Sequence, residues 1–169
     1  MLIQGKMLSY GDDLSEVYAI RRKVFVEEQQ IPEYVEFDEF DEEAMHVIVY
    51  EEAGSKKAVA SGRIIYKGNS CEIGRVAVLK EYRCKKYGDF TVRMLLNKAF
   101  TAGINTVTLN SQISAVEFYE KIGFHRAGFD FTQAGIIHCP MIINITDINT
   151  QCNKDKNLTN STNCSKKSF

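Results

Sequence analysis

No stretch of the 169-residue chain approaches the about 18 consecutive apolar residues that a bilayer-crossing helix requires, so no membrane partner is expected. Net charge of either sign is nearly absent: 21 lysines and arginines stand against 22 aspartates and glutamates, a balance of −1. General nucleic-acid binders are strongly basic, so nucleic acid is not an expected partner either. Cysteine is sparse and unpatterned. Cys71, Cys84, Cys139, Cys152 and Cys164 are odd in number and never spaced C-x-x-C. That argues for a reduced chain over a disulfide framework or a zinc centre, and no metal is expected. Met1 to Lys6 lacks the charged-then-apolar layout of a secretion signal, which makes the cytoplasm the expected location.

What is present is an ordinary globular composition, 44% hydrophobic and 25% charged, in a length suited to one domain with a good core. That domain is expected over residues 1–149. Residues 150–169 are rich in Asn, Lys, Ser and Thr with almost nothing to bury, and read as a polar, mobile tail.

The chain is organised around Gly74 to Phe90. A short apolar strand, Val76-Ala77-Val78, leads into a polar turn carrying Lys80, Arg83, Lys85 and Lys86, and then into an apolar helix from Phe90 to Phe100. Strand, basic turn and helix make an anion site, because the first N–H groups of a helix lack internal partners and its dipole favours negative charge. A phosphate or pyrophosphate is the natural guest.

Before this stretch, Gly11-Asp12-Asp13 reads as a turn with a near capping box to Glu16. A helix follows, with Leu14, Val17, Tyr18, Val24 and Phe25 on one face, and Pro32 disfavours its continuation. Arg21 falls on that apolar face, either snorkelling or held by an internal carboxylate. Glu33 to Glu43 is densely acidic, and reads mostly as solvated chain or else as a negative rim attracting a cationic amine. Three hairpin-linked strands then cover His46 to Val78, with Gly62 as a bulge or close-packing point and Gly74 as a bulge position. Beyond the helix, which Gly103 caps, Thr106 to Asn110 is a buried strand placed to run parallel to its predecessor. A short helix from Ser111 to Lys121 closes at Gly123, and strands over Arg126 to Thr132 and Ile137 to Ile145 complete the pattern.

Three motifs carry a resemblance. Ala115-Val116-Glu117-Phe118-Tyr119-Glu120-Lys121-Ile122-Gly123-Phe124 matches in full the A-x-x-F-Y-x-x-x-G-F signature of the GNAT superfamily of acyl-CoA N-acyltransferases. Arg83-Cys84-Lys85-Lys86-Tyr87-Gly88 is similar to that family's R-x-x-G-x-G pyrophosphate loop, with Lys86 at the middle glycine and Cys84 where many relatives have glycine. Arg21-x-x-Val24-Phe25-x-x-Glu28-Gln29, followed by Glu36, Asp38, Asp41, Ala44 and His46, resembles the ElaA-like or YjcF-like branch. Acyl-homoserine-lactone synthases share a similar pattern and stay as a rival. The resemblance implies an α/β fold: a mixed, mostly antiparallel sheet of six or seven strands with helices on both faces. It also implies an N-acetyltransferase using acetyl-CoA and a primary amine, on a small molecule or peptide, by direct attack in a ternary complex. A non-catalytic acyl-CoA-sensing module is the other alternative, and a homodimer is compatible with all three.

Such a transfer needs an amine freed of its proton, since a lysine-like amine has a pKa of about 10. It needs a polarised thioester carbonyl and a proton for the departing thiolate. By resemblance, the main chain of Val76, Ala77 and Val78 takes the pantetheine arm. Arg83, Cys84, Lys85, Lys86, Tyr87, Gly88 and Asp89 hold the diphosphate, and Asn110 and Tyr119 lie at the acyl end. Tyr119 is the implied acid. Glu28, Glu72 and His138 are candidates for the base; His138 and His46 could equally be structural. Cys84 lacks a companion base for covalent catalysis.

Overall fold

The computed structural model describes residues 2–9, 11–52 and 55–147. The expected tail and the tip of the first hairpin lie outside these residues. Along the chain run β1 (Leu2–Leu8), α1 (Ser15–Arg21), α2 (Glu33–Glu36), β2 (Met45–Glu52), β3 (Lys56–Lys67) and β4 (Ser70–Val78). There follow α3 (Tyr87–Thr101), β5 (Thr106–Gln112), α4 (Val116–Ile122), β6 (His125–Arg126), β7 (Phe131–Gln133) and β8 (Ile136–Asn144).

One sheet of eight strands has the order β1-β2-β3-β4-β5-β8-β6, with β7 also paired to β8. Among the described residues only β4 and β5 run parallel, an arrangement that the crossover through helix α3 permits. The fold class is as expected; the strand count is eight, because the predicted strand Arg126 to Thr132 is split into β6 and β7. Alternation along β2 shows why both sheet faces are covered. Val47 and Val49 turn to the core shared with Val92, Leu95 and Leu96 of α3, while Ile48 and Tyr50 turn to Val17 and Ile20 of α1. Gly62 lets α3 sit close on β3: a Cβ there would lie 2.9 Å from both Leu95 Cδ1 and Thr91 Cγ2.

After α1 the helix widens into a π-helical segment over Arg22–Glu28, in which Gln29 N–H reaches the Val24 carbonyl. The chain leaves it through Gln30, with a positive φ of 58°. Asp13 does act at the start of α1, but by accepting from Ser15 N–H at 2.9 Å rather than through a box with Glu16. Among the described residues, no helix is long and apolar enough to cross a membrane.

Candidate active site

The site begins where two neighbouring strands part. The β4–β5 ladder runs from Ser70↔Thr106 to Ile73↔Leu109 and ends there. At the same level the β3–β4 register jumps from Arg63↔Gly74 to Ser61↔Ala77, so Arg75 and Val76 together face Gly62. This is a bulge on β4, and Arg75 adopts φ 52° within it. Gly74 was the expected bulge residue; the left-handed conformation falls one position later, on a residue for which it costs about 1–2 kcal/mol. Beyond the bulge, β4 and β5 diverge around a cleft of about 720 Å³. Gly74, Val76 and Val78 line one side of it and Leu109, Asn110 and Gln112 the other.

The basic turn stands at one end of this cleft. α3 starts at Tyr87, three residues before the expected Phe90, because Lys86 takes φ 66° and ψ 8° as its N-cap and accepts the first helical bond, from Phe90 N–H. Cys84 is also left-handed, with φ 62°. The loop therefore keeps, at two non-glycine residues, the backbone that glycine would supply at those positions. Left-handed residues ahead of a helix turn successive N–H groups inward as an anion-binding nest. The amides of Gly88 and Asp89 have no intrahelical partner. Lys86, Gly88 and Asp89 line the cleft.

The loop's side chains divide. Arg83 is engaged within the protein: its guanidinium grips Glu28 with two bonds, of 2.7 and 2.6 Å, and its Nε donates to the Val78 carbonyl. Lys85 rests its Nζ 5.1 Å from the Tyr82 ring. Tyr87 is buried, and its hydroxyl donates to Glu51, so only its main chain belongs to the nest. Asp89 pairs with Arg93 at 2.9 Å. Cys71 and Cys139 are free and buried.

Tyr119 lines the cleft from α4, held edge-on between Phe118 and Phe124. Burial alone pushes its phenol well above the ordinary value of 10.0, and among the described residues its hydroxyl has no hydrogen-bond partner. It is a proton-bearing group that nothing else occupies. His138, opposite Gln112 in the β5–β8 register, also lines the cleft and stacks on Phe131. Its Nδ1 lies 2.9 Å from the Ile136 carbonyl. A carbonyl can only accept, so Nδ1 carries the hydrogen and Nε2 of the neutral ring keeps its lone pair.

The remaining base candidates are engaged elsewhere. The bonds from Arg83 hold the Glu28 carboxyl below the usual carboxylate range, which makes it a poor proton acceptor at neutral pH. Glu72 pairs with Lys67 at 2.5 Å. His46 is fully buried, with Nε2 3.0 Å from the Asp41 carbonyl, and is a structural residue.

The acidic segment departs most from expectation. Glu33, Glu39, Glu42 and Glu43 are exposed, as a solvated stretch should be. Glu36 and Asp41 are buried, and with Asp38 they meet three arginines. Arg21, with no exposed surface, donates to Glu36 Oε1 (2.7 Å) and to both oxygens of Asp41 (2.6 and 3.1 Å). Arg63 holds Asp38 at 2.5 Å and Asp41 at 2.7 Å. Arg75 holds Glu36 at 3.1 Å and Asp38 at 2.9 Å. Burial alone would raise Asp41, but the bonds from Arg21 and Arg63 outweigh it and hold the carboxyl low. At Glu36 burial wins over Arg21 and Arg75, and the carboxyl is pushed up. These three carboxylates are not a rim awaiting a cation. Their charge is already matched.

Comparison with known proteins bears on the same layout. Residues 12–145 match the family profile described as an acetyltransferase (GNAT) domain. YjcF of Bacillus subtilis, named an uncharacterized N-acetyltransferase, is 33% identical over 132 residues, covering 78% of this chain and 92% of its own length. The crystal structure of Escherichia coli ElaA aligns with a TM-score of 0.71 at 25% identity, over 83% of this chain and 99% of that one. BjaI, a CoA-dependent acyl-homoserine lactone synthase solved with SAM and isopentyl-CoA, shares the fold with a TM-score of 0.71 at 14% identity, over 90% and 89% of the two chains. With the family profile spanning nearly all of the described fold, the chain belongs to the GNAT acetyltransferase family and is an acyl-CoA acyltransferase.

Proposed function

We propose that the protein transfers an acetyl group from acetyl-CoA to a primary amine, on a small molecule or a peptide, by direct attack while both substrates are bound. One observation carries the reading: a single cleft joins the nest at the mouth of α3, the bulged edge of β4 where it parts from β5, and Tyr119.

The residues present fit a coenzyme A. The cleft volume lies in the range of small-molecule sites, roughly 300–1,000 Å³. Left-handed Cys84 and Lys86, with the amides of Gly88 and Asp89, suit a diphosphate, and the main chain of Val76, Ala77 and Val78 suits an amide-bearing arm. Arg83 acts by fixing the loop to Glu28 and Val78 rather than by charge at the nest. The thioester supplies an activated carbonyl and a thiolate leaving group. Tyr119, protonated across the physiological range, holds a proton for that thiolate. His138 offers the Nε2 lone pair to an incoming ammonium, directly or through water. Asn110 lines the acyl end of the cleft. Glu36, Asp38 and Asp41 are neutralised in place, so those three carboxylates add no net negative charge to attract the acceptor.

Thiol release from acetyl-CoA over a panel of amines, with mass spectrometry of the products, tests this. Turnover with at least one amine and recovery of its N-acetyl product is expected. Tight CoA binding with no thiol release for any amine would replace the reading with an acyl-CoA-sensing module. CoA binding alone does not separate an acyl-homoserine-lactone synthase, since BjaI is itself CoA-dependent. Acyl transfer to SAM, with none to simple amines, would select that alternative.

A further inference from the structure

We propose that Arg75 is a positioning residue: it clamps the β4 bulge to the segment around residues 35–38 and so sets where the Gly74–Val76 backbone lies in the cleft. The kinetic part of this inference rests on the acyltransferase reading above; the structural part does not.

Arg75 combines two properties that seldom meet. Its backbone is left-handed, at φ 52°, at the point where β4 leaves β5 and shifts its register against β3. Its side chain, 23% exposed, then spends its donors on the protein itself. Nε donates to the Glu36 carbonyl at 3.0 Å and Nη2 to the Val35 carbonyl at 3.1 Å. Nη2 also reaches Asp38 Oδ2 at 2.9 Å, and Nε lies 3.1 Å from Glu36 Oε2. Two of these acceptors are main-chain carbonyls, so the fork ties the β4 bulge to the backbone of the partner segment and not only to its side chains. The guanidinium is thus a fastener between two backbones, and a left-handed residue persists where its surroundings over-determine it.

The partner segment is itself immobilised from the other side. Arg21 of α1 takes Glu36 and Asp41, and Arg63 of β3, which faces Gly74 across the ladder, takes Asp38 and Asp41. Arg75 is the member of this set that transmits the rigidity to the bulge. Because Glu36, Asp38 and Phe40 line the same cleft as Gly74 and Val76, one clamp fixes two of its walls. A displacement of about 1 Å in such a site can cost about 100-fold in rate.

The test uses the full chain, with Arg75→Gln removing the fork and keeping the backbone preference, and Arg75→Lys keeping the charge. Amide hydrogen exchange in Arg75→Gln is expected to rise at least tenfold in residues 74–78 and 33–41 together. kcat is expected to fall at least tenfold while KM for acetyl-CoA moves less than threefold, with Arg75→Lys recovering part of kcat. Should Arg75→Gln fail to fold, Asp38→Asn is the second probe, and coupled exchange in the two stretches is again expected. Unchanged exchange at 74–78 in the folded variants would overturn the clamp, as would a loss expressed in KM alone. If the wild type turned over no amine, the exchange measurement would still decide the clamp, so its failure and that of the acyltransferase reading remain distinct.

Discussion

Replacing Tyr119 by phenylalanine removes one oxygen from a site whose packing is otherwise retained. The ring sits 4.8 Å from Phe118 and 5.8 Å from Phe124, centroid to centroid, and both contacts survive the change. Among the described residues the hydroxyl has no hydrogen-bond partner, so no buried group loses one. The stability cost should be under about 1 kcal/mol, readable by urea unfolding. The kinetic cost should be large. A positioned general acid contributes about 10²–10⁴ in rate, or about 3–5 kcal/mol of barrier at 1.36 kcal/mol per tenfold. In steady-state assays with acetyl-CoA and an accepted amine, kcat should fall by about that factor while CoA affinity by calorimetry stays within about twofold. The wild-type pH profile provides an internal check. With the phenol raised by burial, kcat should show no falling limb from Tyr119 up to pH 10.0, where an ordinary tyrosine is half ionised. Wild-type turnover by Tyr119→Phe, in a folded protein, would refute the reasoning.

Three further outcomes follow from other parts of the structure. At Gly88 a Cβ would meet Phe118 Cζ and Val78 Cγ2 at 3.4 Å, so the branched side chain of Gly88→Val has to push into the cleft at the mouth of α3; CoA affinity should drop about tenfold or more by calorimetry. Arg21→Ala leaves Glu36 and Asp41 buried without their shared partner, and should destabilise by about 3–5 kcal/mol in denaturant unfolding. His46 is held below its ordinary 6.5 by burial, with Nδ1 buried and unpartnered, so the folded state binds its proton more weakly than the unfolded state does. Its contribution to stability is present above pH 6.5 and is lost as pH falls toward and through the depressed folded value; unfolding at pH 7.5 and 5.5 should show that loss, and His46→Gln should lessen it.

How far the sequence went can be judged from particular residues. The parallel β4–β5 pair, the Gly103 and Gly123 helix ends, and Tyr119 on α4 were all readable, because each depends on local periodicity or on residues within a few positions. The start of α3 was misplaced because a left-handed Lys86 carries no glycine to announce it. The acidic segment was read as mostly solvated because its partners are remote: Arg21 lies 15 residues from Glu36, and Arg75 lies 37 from Asp38. The same holds for Glu28, consumed by an arginine 55 positions away. Charge density along a chain cannot reveal which charges the fold will neutralise. His138 shows a short-range counterpart, since the carbonyl that fixes its tautomer belongs to Ile136, two residues away.

The central claim is that the amides at the mouth of α3 take the diphosphate of coenzyme A and thereby aim a thioester along β4 toward Tyr119. Residue-resolved amide exchange with and without saturating CoA tests it directly. The account predicts slowed exchange at residues 84–89, with a smaller effect along 76–78. Protection confined to other stretches, or none at a concentration where calorimetry shows binding, would contradict it.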